Sequence, residues 1–138
     1  MKAENIKFSY RGSDLPNDLI FLSATFKGEN QDKNKIKQIM EKFSTDKKNT
    51  QPSKIKTCGS TFKNPISQTK KRAWELIKEA NCSGLKVGGA TISEKHCNFF
   101  VNNGNATSNE IEELIKKVKN QVLKKTGINL DLEIVLVE

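Results

Sequence analysis

With 138 residues, the chain has the length of one domain, or of a small domain joined to part of another. Its 24 basic and 16 acidic residues give a formal net charge of +8, and hydrophobic residues make up 35% of the composition. No apolar run is long enough to cross a bilayer, and the first residues lack the apolar region of a signal peptide, which argues against a membrane or secreted protein. We expect a soluble cytoplasmic protein with a modest core.

The positive charge is compatible with nucleic acid or with a phosphorylated small molecule as ligand. The basic residues are spread along the chain, and few aromatic residues lie between them, which argues against stacking on single-stranded nucleic acid. A solvated lysine-rich surface explains the same charge without a ligand. Three widely spaced cysteines and a single histidine, His96, show no zinc-site spacing, so we expect reduced thiols and no metal.

The first residues predict two strands. Ile6, Phe8 and Tyr10 alternate with polar residues, as is typical of a strand, and a loop over 11–16 follows. Residues 19–26 are rich in phenylalanine, isoleucine and threonine, so they predict the second strand.

A helix and a connector come next. Asp32 can cap a helix whose apolar residues over 36–43 follow helical spacing. The polar, basic segment 44–55 contains a proline and predicts a connector. We therefore expect a domain boundary there, with residues 1–50 before it and a C-terminal domain at 51–138.

The second half of the chain predicts helix, strand, strand, helix and strand, at 73–81, 85–92, 98–102, 107–126 and 130–136. Gly88 and Gly89 interrupt the first of these strands and indicate a bulge or a close backbone approach. Thr107 and Glu110 form a capping-box pair, and Gly127 stops the helix that they begin. Because helices and strands mix without regular βαβ units, the order predicts an α+β fold.

The segment Gly59–Pro65 has the most distinctive composition. Its glycine and proline predict a rigid loop that holds Ser60, Lys63 and Asn64 at set positions. Such loops carry function more often than the elements they join, although an ordinary solvated turn has the same composition. The chain contains no phosphate-binding glycine loop, and the lone His96 gives only weak support to a serine–histidine catalytic pair.

Six motifs, taken together and in order, are similar to those of one family. They are Tyr10–Ser13, Cys58–Pro65, Gly84–Ala90, Ser93–Phe99, Asn105–Thr107 and Leu132–Ile134. On them the chain resembles, over nearly its whole length, the C-terminal half of the UDP-N-acetylenolpyruvoylglucosamine reductase family. The resemblance implies the substrate-binding domain of these flavoenzymes of bacterial peptidoglycan precursor synthesis, preceded by the last strands and helix of the flavin domain.

The resemblance also implies a reaction and its cofactors. In the family, NADPH reduces FAD, the flavin passes a hydride to the double bond of UDP-N-acetylglucosamine enolpyruvate, and an acid protonates the neighbouring carbon to give UDP-N-acetylmuramate. The flavin-binding loops of the family precede the point that matches Met1. We therefore expect this chain alone to bind no FAD and to be inactive, with an N-terminal flavin domain as its missing partner.

Individual residues receive roles from the same resemblance. Ser60 matches the serine that donates the proton, and Glu133 matches a glutamate that helps to stabilise the enol-like intermediate. Asn64 matches a contact near the substrate diphosphate, and Tyr10 matches a loop tyrosine that closes over the substrate in some members. We infer that Lys63 supplies positive field beside Ser60. Without the family, Glu133 would be interpreted as a solvent-facing strand residue.

Two other interpretations remain open. The chain could be a stand-alone basic module that binds nucleotides or RNA without redox chemistry, or a remnant that folds and binds nothing. On the reductase interpretation no nucleic acid partner is expected, and His96 is a hydrogen-bonded structural residue rather than a catalytic base.

Overall fold

The chain consists of two units, Met1–Lys33 and Asn34–Glu138. Most residues of the first unit are exposed, whereas the second unit contains a buried core. The computed structural model describes residues 1–137. The expected family domain boundary near residue 50 stays a prediction.

The first unit holds a short 3-10 turn over Ala3–Asn5 and a hairpin of β1 (Phe8–Ser9) and β2 (Gly12–Ser13). The prediction of a second strand over 19–26 is wrong, because the structure has no regular element there and most of its large side chains are exposed. A strand is stable only beside a partner, and the composition of one segment does not reveal whether that partner exists.

The first helix, α1 (Lys33–Thr50), is longer than the sequence predicted. The predicted connector over 44–55 is therefore wrong in its first half, because polar and basic residues also form helices and no proline interrupts residues 33–50. The expected apolar face is present, but no residue of α1 is buried.

The second unit contains a four-stranded antiparallel sheet. Its strands are β3 (Lys56–Ser60), β4 (Lys86–Val87), β5 (Ala90–Ile92) and β6 (Phe99–Asn102), and their spatial order is β3-β6-β5-β4. The sequence did not predict β3, since a glycine and small polar residues give it no strand pattern. Together with the helices, this sheet confirms the predicted α+β class.

Two helices contribute to the core beside this sheet. The first, α2 (Ala73–Glu79), ends near Asn81 as predicted. The second, α3 (Ser108–Thr126), has the predicted capping box and ends at Gly127, whose φ is 71°. Fully buried side chains from helices and strands form one core, which includes Phe62, Leu76, Ile92, Phe100, Leu114 and Val118.

Gly88 and Gly89 form the two-residue turn between β4 and β5, where Val87 pairs with Ala90. The predicted close approach is confirmed, because a Cβ on Gly89 would lie 2.6 Å from the backbone nitrogen of Ala106. The last predicted strand, at 130–136, is reduced to a single bridge between Phe62 and Leu132. None of the helices within residues 1–137 has both the length and the apolar character needed to cross a membrane.

Candidate functional site

Ser60 lies at the end of β3, where the strand is irregular. The register of β3 against β6 shifts between Thr57 and Ser60, and Ser60 then pairs with Phe99. Gly59 makes this shift with a φ of 86°, a left-handed conformation that residues with a Cβ rarely adopt. The segment predicted as a rigid loop therefore begins on a strand, which holds the half-buried Ser60 by backbone pairing.

Residues 61–63 continue past this irregularity and pair with residues 131–133. The Glu133 backbone N–H donates to the Thr61 carbonyl at 2.9 Å, and the Lys63 N–H donates to the Asp131 carbonyl at 2.8 Å. Paired strands lie about 5 Å apart, so this pairing brings Ser60 and Glu133 onto neighbouring segments. Glu133 is half-buried, with its Oε2 out of contact with solvent, rather than solvent-facing.

Lys63 and Asn64 follow on the same segment but differ in their surroundings. The Lys63 side chain is exposed, whereas Asn64 is half-buried and its Oδ1 accepts a hydrogen bond of 3.0 Å from the Ala73 N–H. Asn64 thus holds the first residue of α2. The predicted contact of Asn64 with a substrate diphosphate stays a prediction.

Tyr10 belongs to the first unit, in the turn between β1 and β2. The Arg11 guanidinium lies over the Tyr10 ring, 5.7 Å from its centroid. Closure of this tyrosine over a substrate also stays a prediction.

A cavity of about 510 Å³ lies in the second unit, beside the start of α2. It is lined by Asn49, Thr50, Gln51, Arg72, Trp74, Lys78, Ser83, Glu94, Lys95, His96 and Cys97. Two of these residues, Arg72 and Trp74, flank Ala73, so the hydrogen bond from Ala73 to Asn64 connects the cavity to the segment that carries Ser60. Of the lining residues, Glu94, Lys95, His96 and Cys97 belong to the Ser93–Phe99 motif of the resemblance.

Trp74 is the lining residue that a sequence signal could have revealed. It is the only tryptophan of the chain and lies next to Ala73, Leu76 and Ile77, which form the buried face of α2. Trp74 itself is 36% exposed. A large aromatic residue outside the buried face of a short helix is a signal of a binding surface.

His96 is held by backbone groups and by aromatic packing. Its Nδ1 accepts from the Asn98 N–H at 3.3 Å, and its ring packs edge-on against Phe99 with centroids 4.6 Å apart. Burial lowers the pKa of His96, against the opposing effect of its own backbone hydrogen bond, so the neutral ring is favoured. The expectation of a hydrogen-bonded histidine is confirmed.

The chemical character of the cavity follows from its lining. Arg72, Lys78 and Lys95 provide three cationic groups against the carboxylate of Glu94. The rings of Trp74 and His96 lie 6.4 Å apart at a tilt of 54° and offer planar apolar surface. A site with cations and aromatic faces can bind a phosphorylated molecule that carries a planar base.

The part of the chain that the structure describes contains no candidate metal site. No three His, Cys, Asp or Glu residues within 1–137 lie close enough together to hold a metal ion. The three cysteines are free thiols, with Cys58 exposed and Cys82 and Cys97 buried.

Comparisons with known proteins agree on one family. The family model for the C-terminal domain of UDP-N-acetylenolpyruvoylglucosamine reductase matches residues 51–137. The reductase of Pelagibacter ubique is 50% identical over 132 residues, which cover 96% of this chain and 44% of that protein. The reductase of Rickettsia typhi is 46% identical over 131 residues, which cover 95% of this chain and 43% of that protein.

A solved structure gives the same result at the level of the fold. The crystal structure of the reductase from Thermus caldophilus superposes with a TM-score of 0.74 and 35% identity, covering 94% of this chain and 45% of that chain. The chain thus spans less than half the length of the relatives that it matches.

Proposed function

This chain belongs to the UDP-N-acetylenolpyruvoylglucosamine reductase family, and from that premise we propose that it supplies the substrate-binding part and the proton donor of such a reductase. The proposed substrate is UDP-N-acetylglucosamine enolpyruvate, and the product is UDP-N-acetylmuramate, formed in the cytoplasm for peptidoglycan synthesis. The observation that supports the proposal is the pairing of 61–63 with 131–133, because it brings Ser60 and Glu133 onto neighbouring segments.

In this proposal Ser60 donates its hydroxyl proton to the substrate carbon next to the one that is reduced. A serine hydroxyl is a weak acid, so its oxygen needs a stabilising field until it regains a proton from water. The ammonium of Lys63, three residues further along, supplies such a field. Glu133 hydrogen-bonds the enol-like intermediate from the neighbouring segment.

The cavity beside α2 is the proposed site of the UDP group. Its cationic residues would bind the diphosphate, and Trp74 and His96 would pack against the uracil ring. Asn64, which holds the residue between Arg72 and Trp74, would then keep the diphosphate site next to the segment with Ser60. Tyr10 would cover the bound substrate.

A reduced flavin supplies the hydride in this reaction, with NADPH as the reductant, but the glycine turn at Gly88 and Gly89 does not fit a flavin phosphate. The glycine turn at Gly88 and Gly89 is filled by a carboxylate, because a Cβ on Gly88 would lie 1.7 Å from Glu110 Oε1. The Glu110 carboxylate already lies against the backbone of this turn, so we assign no flavin contact to the turn. We propose instead that a separate flavin-binding region covers the exposed apolar face of α1, which includes Met40 and Phe43.

Titration of this chain with UDP-N-acetylglucosamine tests the binding proposal by NMR. The backbone amides of Ser60 and Lys63 and the indole N–H of Trp74 are expected to shift, with a dissociation constant near about 1 mM, or about −4 kcal/mol. Added salt is expected to weaken the binding, because charge supplies part of it.

A matched pair of variants sharpens this titration. Lys95→Gln removes one cation of the cavity and is expected to weaken binding several-fold, whereas Lys116→Gln removes an exposed lysine of α3 and leaves it unchanged. Shifts confined to the lysine-rich helix faces, with an RNA oligomer bound more tightly than the UDP-sugar, would contradict the proposal and favour a nucleic-acid module.

A further inference from the structure

Asn98 is a buried polar residue that immediately precedes β6, and its side chain hydrogen-bonds the backbone of one other residue, Phe62. Its Oδ1 accepts from the Phe62 N–H at 3.0 Å, and its Nδ2 donates to the Phe62 carbonyl at 2.8 Å. Its own carbonyl accepts from the Thr61 N–H at 2.8 Å. The residue is 4% exposed, so water does not compete for these bonds.

These bonds replace a missing part of the sheet. The ladder between β3 and β6 ends where Ser60 meets Phe99, and only the bond from Thr61 to the Asn98 carbonyl continues it on the main chain. A strand residue directs its N–H and its carbonyl to the same side, and the Asn98 amide satisfies both groups of Phe62 as a neighbouring strand would. The other edge of this segment bonds to Asp131 and Glu133, so it is fixed from both sides.

The same residue also touches the wall of the cavity. The Asn98 N–H donates to the Nδ1 of His96, whose ring lines the cavity. Asn98 thus connects the cavity proposed for the UDP group with the segment that carries Ser60.

We propose that Asn98 is a positioning residue, which holds Ser60 and Lys63 in register with the bound substrate through Phe62. The proposal rests on the function proposed above. It requires a side chain that donates and accepts in one plane, which the asparagine amide does and an ionised carboxylate, an acceptor only, does not.

The Asn98→Asp variant tests this requirement through pH. At pH about 8 the carboxylate cannot donate to the Phe62 carbonyl, whereas at pH about 4.5 a protonated carboxyl donates and accepts as the amide does. The NMR signals of the Ser60, Phe62 and Lys63 amides are expected to differ from those of the original chain at high pH and to match them at low pH. Relative to the original chain at the same pH, affinity for UDP-N-acetylglucosamine is expected to fall about tenfold at high pH and to recover at low pH. The comparison is made at equal pH because His96, which contacts the Asn98 N–H, also takes up a proton as the pH falls.

Two comparisons separate positioning from general damage. Asn103→Asp places the same charge on an exposed residue and is expected to change neither the amide signals nor the affinity. The amides of Leu114 and Val118 in α3 report whether the core remains folded. If the original chain binds no UDP-sugar, the proposed function fails, and the amide signals still decide the role of Asn98.

Two further results would overturn the role proposed for Asn98, and a third would support it. Asn98→Asp signals at the loop that match the original chain at both pH values would overturn it. Failure of the variant to fold at both pH values, together with unchanged loop signals in Asn98→Ser, would also overturn it. A variant that unfolds only at high pH supports it, because protonation then restores the two bonds to Phe62.

Discussion

Ser60 shows how one residue obtains its position from distant parts of the chain. Its own strand fixes it through Gly59 and Phe99, and the segment after it is paired to Asp131 and Glu133. A hydroxyl held in this way needs little reorganisation when a proton leaves it, which is the condition for efficient proton donation.

Ser60→Ala, made in a reductase that contains this sequence, is expected to separate the two half-reactions. In the proposed mechanism, flavin reduction by NADPH does not use the serine, so its rate is expected to stay unchanged. Flavin reoxidation by the substrate uses the proposed proton donor and is expected to slow by about 10²–10⁴-fold. Stopped-flow absorbance measures both steps, with the exposed Ser67→Ala as the control. Equal slowing of both steps would remove Ser60 from this role.

The pKa of His96 gives a prediction for stability. Because burial lowers the pKa below its usual 6.5 in the folded chain, the unfolded chain binds the proton more readily. The stabilising contribution of neutral His96 is therefore complete above pH about 6.5 and declines as the pH falls towards the folded pKa.

Urea unfolding followed by circular dichroism measures this contribution. The free energy of unfolding of the original chain minus that of His96→Gln is expected to decrease as the pH falls from about 7.5 to about 5. A difference that stays constant over this range would show that the pKa of His96 is the same in both states.

At the scale of the elements, α3 could be predicted and β3 could not. The helix carries its own signals, namely the capping pair Thr107 and Glu110 and the terminal Gly127. The strand β3 and the bridge at Leu132 exist through their partners, and no local pattern identifies a partner. The same reason explains the absence of a strand at 19–26.

The turn between β4 and β5 gives a test at this scale. In Gly89→Ala the new Cβ would lie 2.6 Å from the Ala106 nitrogen and 2.9 Å from its Cα, so backbone must move. We expect a loss of about 1–3 kcal/mol in the free energy of unfolding, measured with urea. Gly28→Ala, whose Cβ would meet nothing within 4 Å, is the control and is expected to change little. Equal stability of the two variants would show that the turn absorbs the methyl group.

At the scale of the whole molecule, the site could be predicted only in part. The composition of Gly59–Pro65 drew attention to Ser60, but the catalytic roles predicted for Ser60 and Glu133 came only from the resemblance to the family. The cavity next to α2 was missed as a whole, because Arg72, Trp74, Lys95 and His96 come from separate segments that only the fold assembles. No local sequence pattern indicates that the Asn98 side chain hydrogen-bonds both backbone groups of Phe62.

Cofactor content is the prediction for the whole chain. Purified after expression, this chain is expected to be colourless and to show no flavin absorbance after gel filtration, since Glu110 fills its glycine turn. Addition of FAD followed by a second gel filtration is the control for cofactor lost in preparation. A yellow protein with nearly one flavin per chain would contradict this expectation.

The pairing of Thr61 with Glu133 has a consequence for synthesis in the cell. The two residues are separated by about 70 positions, so the pairing cannot form until α2, β4, β5, β6 and α3 have all been translated. Until then, Thr61 and Lys63 lack these main-chain partners. The segment after Ser60 gains its second paired edge only once residues 131–133 have left the ribosome.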